Sequence, residues 1–482
     1  IIFFTIMRRT KIVCTIGPAT SSPENLEALV KAGMNMARLN FSHGVHEFHT
    51  QTFHNLRQIS KDLHKPIAIM QDLCGPKIRL GKLPPEGLML EAGSEVTFLL
   101  QEKGETIDNL PLPLPTLFAM IRRGEPILIN DGRVKLTVTS RDADKIQAYV
   151  NIGGLISSHK GVNLPATPLP VSAITEKDLA DLRLGIQLGV DWVAVSFVRS
   201  PQDLEPAKRM IESASSKIRI IAKIERAEAV ENLDAILEAA DGIMIARGDL
   251  GVEVPIYKVP LIQKEIARRC NQIGKPVITA TQMLESMISA PDPTRAEATD
   301  VANSILDGTD AVMLSGETAM GEYPIAAVQT MHNIALQTET ALQEGQRHSW
   351  MPTADSLTVT ESVSQAVCRI AYETGAKAIL CNTTSGGTAK LVSKYRPSTP
   401  IIALTSDSTA YRQLALSWGV EPLLIQPVHN AEEMFMNVVE TVVDSGLVQE
   451  GDKVVITSGV PIGTPGTTNL IKVHCIGQPI MP

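Results

Sequence analysis

The sequence predicts an α/β protein: a (β/α)8 barrel of the TIM type, interrupted by an inserted all-β lid domain and followed by a separate C-terminal α/β domain. Three observations point there. Eight short Val/Ile-rich runs alternate with amphipathic stretches. The alternation breaks once, in a Pro- and Gly-rich segment with β-type patterning, and it resumes in a shorter series near the end of the chain.

The eight runs are KIVCTI (11–16), MARLNF (36–41), IAIMQD (67–72), WVAVSF (192–197), IRIIAKI (218–224), GIMIAR (242–247), PVITAT (276–281) and AVMLS (311–315). Most are followed by a helical segment, as a parallel barrel requires. Residues 7–76 and 172–345 are therefore read as the two parts of the barrel. Between them, residues 77–171 carry EVTFLL, PILIN and VKLTVT and little amphipathic helix, which reads as an inserted all-β domain. An insertion at that point stands over the C-terminal mouth of the barrel, where it can close on a substrate. After the helical stretch Pro324 to Gln343, the polar EGQRHSWMPTADS reads as a linker. AKAILC, TPIIAL, PLLIQ, KVVITS and LIKVHC then make a smaller α/β regulatory domain over 357–482. The opening IIFFTI is too short for a signal-peptide core and has no basic region before it. Met7 is read as the natural start, and residues 1–6 are left out of the fold.

Composition excludes several classes of function. Across 482 residues, 44% are hydrophobic, 20% charged and 4% aromatic, a globular balance that suits three domains and argues against disorder or stacking on single-stranded nucleic acid. A net charge of −8 argues against general affinity for nucleic acid or acidic membranes, so an anionic substrate needs a local basic pocket. Six scattered cysteines form no CxxC pair, which suits a reduced cytoplasm better than a disulfide framework or a zinc site. No run reaches the roughly 18 apolar residues of a membrane helix.

The chemistry-bearing residues cluster at the ends of the barrel runs. The second run ends in Arg38, Asn40 and Ser42, the third in Asp72, the fourth in Ser196, and the fifth in Lys223 and Glu225. The sixth gives Arg247 and Asp249, the seventh Thr281, and the eighth Ser315 and Glu317. Any one of them alone reads equally as a capping or solvated group. A barrel, however, gathers them on one rim, with cations, carboxylates and hydroxyls together, an arrangement suited to an anionic, metal-bound substrate. Glu225 and Asp249 are hard oxygen ligands able to hold Mg²⁺ with positions left for substrate oxygens, although pairing of either carboxylate with Arg247 is the plainer alternative. Backbone N–H groups of ARGDLG can accept a carboxylate. Lys223 can neutralise a transferring phosphoryl group or an enolate, a role worth roughly 3 kcal/mol per preorganised donor.

The stretches TKIVCTIGPAT, ARLNFSHG, QDLCGPKIR, INDGRV, KGVNLP, VSFVRS, IIAKIERAEAV, IARGDLGVE, ATQMLESM, PTRAEATDVANSILDGTDAVMLSGETAMGEYP and GTTNLIKV follow one another in an order that resembles the pyruvate kinase family over nearly the whole chain. The resemblance implies glycolytic, Mg²⁺-dependent transfer of phosphate from phosphoenolpyruvate to ADP, giving pyruvate and ATP. By resemblance, Lys223 stabilises the phosphoryl group in flight, and Glu225 and Asp249 hold Mg²⁺. The backbone of Ala246, Gly248 and Asp249 grips the substrate carboxylate with the Thr281 hydroxyl, beside Ser196. Thr281, Ser315 and Glu317, with water, serve protonation of the enolpyruvate. Arg38 and Arg79 face the phosphates, Asn40, His43 and Lys160 lie on the nucleotide side, and Asp131 of the lid closes on them. It further implies a cytoplasmic homotetramer.

One departure from the family pattern stands out. Many relatives bind K⁺ through an Asn, a Ser, an Asp and a Thr, which here would be Asn40, Ser42, Asp72 and, in place of the threonine, Leu73. The family glutamate of the same motif is Lys77. The expectation is activity without K⁺, with the Lys77 ammonium standing where K⁺ would sit. A solvated hinge lysine is the alternative. In the last domain, Thr383, Thr384, Ser385, Gly386, Gly387 and Thr388 resemble the family's effector loop, which implies a sugar-phosphate or nucleotide activator. Since Gly387 is not basic, binding would depend on backbone N–H groups, hydroxyls and Lys390; a plain left-handed turn capping a helix is the alternative. Two rival functions are a metal-dependent lyase or aldolase acting on pyruvate enolates, and a non-catalytic regulator keeping the fold. The inserted domain with GPKIR argues against the first, and the filled set of polar positions against the second.

Overall fold

The computed structural model describes residues 7–167, 172–345, 357–428, 430–461 and 466–480. The expected linker falls largely outside them. All eight anticipated barrel strands form: β1 (Lys11–Ile16), β2 (Met36–Asn40), β3 (Ala68–Asp72), β4 (Trp192–Val195), β5 (Arg219–Ile224), β6 (Gly242–Ala246), β7 (Val277–Ala280) and β8 (Ala311–Leu314). They are parallel and close in sequential order into a barrel, β8 returning to pair with β1.

The alternation of side chains along each strand sorts the residues into two layers. One set packs inside the barrel: Val13, Met36, Ala68, Met70, Trp192, Ala194, Ile221, Met244, Ile278, Ala280, Ala311 and Met313. The other set, such as Ile12, Cys14, Ile69, Val193, Ile220 and Ile243, meets the surrounding helices. Continuing the inner parity two residues past the packed layer reaches Thr15, Arg38, Asp72, Ser196, Lys223 and Ser315. The same period that fills the core therefore aims these polar groups into the mouth.

The base of the barrel is closed by the C-terminal domain, whose Ala415 and Leu416 join the interior core. Around this plug, Arg412 Nε meets Asp191 Oδ1 at 2.7 Å and Lys11 Nζ donates to the Val420 carbonyl at 2.7 Å. That domain is a five-stranded sheet of β9 (Ala378–Asn382), β10 (Ile401–Thr405), β11 (Val420–Leu424), β12 (Lys453–Gly459) and β13 (Thr468–Cys475), in the order β11-β10-β9-β12-β13. The first four are parallel and β13 runs antiparallel to β12. The strand expected over 422–426 instead begins at Val420, because Val420 and Pro422 are its buried residues and Leu424 is already half exposed.

The lid has its own core, from Leu80 to Leu164, and the alternation seen in VKLTVT is realised in buried Val134, Leu136 and Val138. Its six-stranded sheet carries a turn in which Asn130 and Asp131 both adopt φ of 55°. Among the described residues, no helix is long and apolar enough to cross a membrane.

Candidate active site

Lys223 sits at the end of β5, almost wholly buried. Its ammonium is held by Glu225 Oε1 at 2.8 Å, Ser196 Oγ at 2.7 Å and Asp72 Oδ1 at 3.3 Å. Burial works against the charge, yet the two carboxylates outweigh it and raise the pKa above the ordinary lysine value, so the side chain stays cationic. Asp72 takes Arg38 on its other oxygen, with Nε at 2.7 Å and Nη2 at 2.6 Å. Burial would raise the Asp72 pKa, but Lys223 and Arg38 together hold it below the usual range. Arg38 is steadied in turn by Thr15, whose hydroxyl accepts from Nη1 at 3.0 Å.

Glu225 is spent differently. Its Oε2 accepts the Phe197 N–H at 2.7 Å, and its pKa is raised, first by burial and further by the neighbouring charge of Asp249, against the pull of Lys223. A buried Glu225 that feels the like charge of a part-buried Asp249 is a fit for a hard divalent cation, which would relieve the repulsion. Among the described residues no cluster of three or more His, Cys, Asp or Glu side chains is assembled for a metal, so the remaining ligands would be substrate oxygens and water. The alternative of Arg247 pairing with Glu225 or Asp249 is not what forms: Arg247 pairs with Asp300 at 2.7 Å.

Just past the ends of β6 and β7, two of the groups expected to grip a substrate carboxylate satisfy each other. Gly248 N–H donates to Thr281 Oγ1 at 2.7 Å, and that hydroxyl donates to the Ala280 carbonyl at 2.6 Å. Thr281 holds φ of 69° and Gln282 of 54°, left-handed values that a β-branched residue adopts only under outside constraint. Across β8, Glu317 is buried and accepts from Ser315 N–H at 2.7 Å and Leu284 N–H at 3.1 Å; burial raises its pKa, and these backbone bonds oppose the rise without cancelling it. Ser315 Oγ is buried and has no hydrogen-bond partner among the described residues, which leaves it available to substrate or water.

His43 marks the phosphate side. Partial burial lowers its pKa, and the charges of Arg79, Lys77 and Arg38 lower it further, so four basic groups gather where a nucleotide's phosphates would enter. Arg79 reaches the His159 carbonyl at 3.0 Å, and Asn40 accepts the Ser42 N–H at 3.1 Å. Among the described residues, Lys160 and Asp131 make no side-chain hydrogen bond; Asp131 is exposed on the lid turn next to Gly132, which lies over Val252 of the helix Arg247–Glu253. A second lid contact, Asn163 Nδ2 to Glu253 Oε1 at 3.2 Å, joins the lid to the same helix. The cleft between them is lined by Lys77, Phe197, Arg199, Arg226 and Asp249 and encloses about 590 Å³ counted to its open mouth.

Two expectations need adjusting. Lys77 is exposed and is not an Asp72 partner, since Arg38 and Lys223 already hold that carboxylate. Lys390 is directed toward the barrel: its ammonium lies 5.8 Å from the Trp192 ring at the barrel's base. The loop itself is built as a pocket. Thr383 Oγ1 accepts the Gly386 N–H at 3.0 Å, Gly386 has φ of 85°, and Thr384, Ser385 and Gly387 line an open pocket with Ser458 and Thr467. Thr388 Oγ1 pairs with Thr468 Oγ1 at 2.7 Å across that pocket.

Two contributors lay outside the strand-end inventory. Thr15 is the penultimate residue of β1 and follows the same inner parity, so extending the inventory to the first strand finds it. Phe197 acts through its backbone N–H at φ of 56°, for which its side chain gives no signal.

The chain is similar to known proteins over nearly its whole length. Residues 7–328 match the pyruvate kinase barrel-domain family and residues 361–474 the pyruvate kinase alpha/beta-domain family. The chain is 48% identical over 474 residues to a pyruvate kinase of Geobacillus stearothermophilus, and 46% identical over 475 residues to one of Bacillus licheniformis. Each alignment covers 98% of this chain and 81% of the relative. Its fold is similar to the crystal structure of a pyruvate kinase from Cryptosporidium parvum, with a TM-score of 0.90 and 37% identity over 97% of this chain and 96% of that one.

Proposed function

The chain belongs to the pyruvate kinase family, phosphotransferases that act on phosphoenolpyruvate and ADP, and from that premise we propose a Mg²⁺-dependent, K⁺-independent enzyme with a phosphorylated activator. The observation that carries the mechanism is the Lys223 ammonium held among Asp72, Glu225 and Ser196 at the barrel mouth. Phosphoryl transfer asks for charge neutralisation and in-line positioning more than for covalent help. Lys223, Arg38 and Arg79 supply fixed positive charge. Mg²⁺, held by Glu225 and Asp249, would polarise the phosphoryl oxygens. The substrate carboxylate replaces Thr281 as acceptor of the Gly248 N–H, and the Thr281 hydroxyl, once turned from the Ala280 carbonyl to which it donates, serves, with Ser315, Glu317 and water, the face on which the enolate takes its proton. His43, Asn40, Lys160 and the lid's Asp131 are read as the nucleotide side. A cytoplasmic homotetramer is the assembly proposed, with light scattering as its check.

K⁺ independence rests on what surrounds Asp72. Its carboxylate is neutralised by Arg38 and Lys223, and buried Leu73 offers a carbonyl already taken by Ser196 Oγ at 2.7 Å and no hydroxyl. Lys77 adds positive charge beside His43. Steady-state rates are therefore expected to change less than about twofold when K⁺ replaces a bulky organic cation; strong activation by K⁺ sinks this part.

The activator reading is supported by the hydroxyl-lined pocket and by a contact out of it. Arg219, the first residue of β5, donates from Nη2 to the Ser385 carbonyl at 2.8 Å, so the loop touches the strand that ends in Lys223 and Glu225. In the same assay, one of a panel of sugar phosphates or nucleotides is expected to lower the half-saturating phosphoenolpyruvate concentration severalfold. No change across the panel would leave the loop as a helix cap.

A further inference from the structure

Arg247 is a side chain in the mouth for which the mechanism so far has no use. It begins the helix Arg247–Glu253, yet its guanidinium turns across to the end of β7. Nη2 donates to the carbonyls of Thr281 at 2.7 Å and Gln282 at 3.2 Å, and Nε lies 3.4 Å from the Ala280 carbonyl. Nη1 is fixed from behind by both oxygens of Asp300, at 2.8 and 2.7 Å. Three successive carbonyls are thus gathered on one planar fork, and the last two residues of that segment, Thr281 and Gln282, are those with left-handed backbones. A point-charge ammonium cannot reproduce such a fork.

We propose that Arg247 is the positioning residue for Thr281: by collecting the 280–282 carbonyls it holds the left-handed turn that sets the Thr281 hydroxyl beside Gly248 N–H, and so governs proton delivery to the enolate. The inference rests on the reading of Thr281 given above. A β-branched residue released from that fork relaxes toward ordinary backbone values, and its hydroxyl leaves the substrate face. A shift of about 1 Å in a reacting group costs on the order of 100-fold in rate.

The test follows both the overall reaction and its proton half. In D₂O with Mg²⁺, proton NMR reports exchange of the pyruvate methyl group, in which a C3–H bond breaks, its electrons form the enolate, and C3 then takes a deuteron from solvent. Arg247→Gln is expected to lower kcat about 100-fold and to slow the exchange by at least the same factor. Arg247→Lys, which keeps the charge facing Asp300, should recover little of the loss. In a Thr281→Val background, adding Arg247→Gln should cost less than about threefold more, because residues acting as one unit do not add. Wild-type exchange in a folded Arg247→Gln protein, losses that multiply in the double variant, or full rescue by lysine would each overturn the proposal. Should the glutamine variant fail to fold, the exchange rate of Arg247→Lys decides in its place: slow exchange supports the proposal, and wild-type exchange overturns it. If Thr281→Val itself exchanges at the wild-type rate, the role of Thr281 fails, an outcome distinct from failure of Arg247 alone.

Discussion

Replacing Lys223 with methionine is expected to lower kcat about 1000-fold while changing half-saturation by Mg²⁺ only severalfold. The rate loss corresponds to roughly 4 kcal/mol of transition-state stabilisation, the size expected when a preorganised donor is removed from a water-poor site. Methionine keeps the length and apolar stem of lysine but leaves Asp72 and Glu225 without the ammonium that now lies 3.3 and 2.8 Å away. Unpairing buried charges of this kind typically costs about 3 kcal/mol or more. The deficit has a defined pH dependence. Glu225 already has a raised pKa, and losing Lys223 raises it further; a raised folded-state pKa means destabilisation that is present at neutral pH and relieved as pH falls and the carboxyl takes up a proton. Melting curves of the variant should accordingly converge on the wild type below neutral pH. A folded variant with wild-type turnover would remove Lys223 from the mechanism.

Glu225→Gln is the second large effect. The amide oxygen can still accept the Phe197 N–H, now at 2.7 Å from Oε2, but the amide nitrogen then faces the Lys223 ammonium, donor against donor. Without its charge the gap to Asp249 loses half of its attraction for a divalent cation. Half-saturating Mg²⁺ should rise at least about tenfold and kcat should fall about 100-fold, in line with the loss of one charged ligand or its orienting partner. The pH behaviour supplies a separate check. Because the Glu225 pKa is raised, its carboxylate is protonated at a higher pH than an ordinary glutamate, so in the wild type the Mg²⁺ requirement should climb as pH falls, starting above the usual carboxylate range. The glutamine variant should show a flatter dependence; identical profiles for the two proteins would place the metal elsewhere.

Most of the architecture was legible because each barrel strand is buried on both faces and reads as a continuous apolar run. Arg38, Asp72, Ser196, Lys223 and Ser315 were legible because they continue the inward parity one step beyond the packed layer. What could not be read depends on contacts that no local period encodes. Arg247 finds Asp300 some 53 residues away and Thr281 across a neighbouring strand. Phe197 contributes a backbone group, and Lys390 turns to Trp192 because the helix Gly387–Lys394 presents that face to the barrel and not to the loop that begins it. Lys77 shows the limit of reading charge by alignment of motifs. It adds to the field around His43, but the Asp72 carboxylate was already satisfied from the barrel side.

The division of labour across the mouth is the central claim: Lys223 with Asp72 and Glu225 serves the phosphoryl group on the β3–β5 side, and Thr281 with Ser315 and Glu317 serves the proton on the β7–β8 side. Methyl-proton exchange of pyruvate in Lys223→Met, followed by NMR alongside phosphoryl transfer to ADP, addresses it most directly. The account predicts transfer slowed about 1000-fold with exchange kept within about tenfold of the wild type. Exchange that falls in step with transfer would contradict it, and would make Lys223 a stabiliser of the enolate instead of the phosphoryl group.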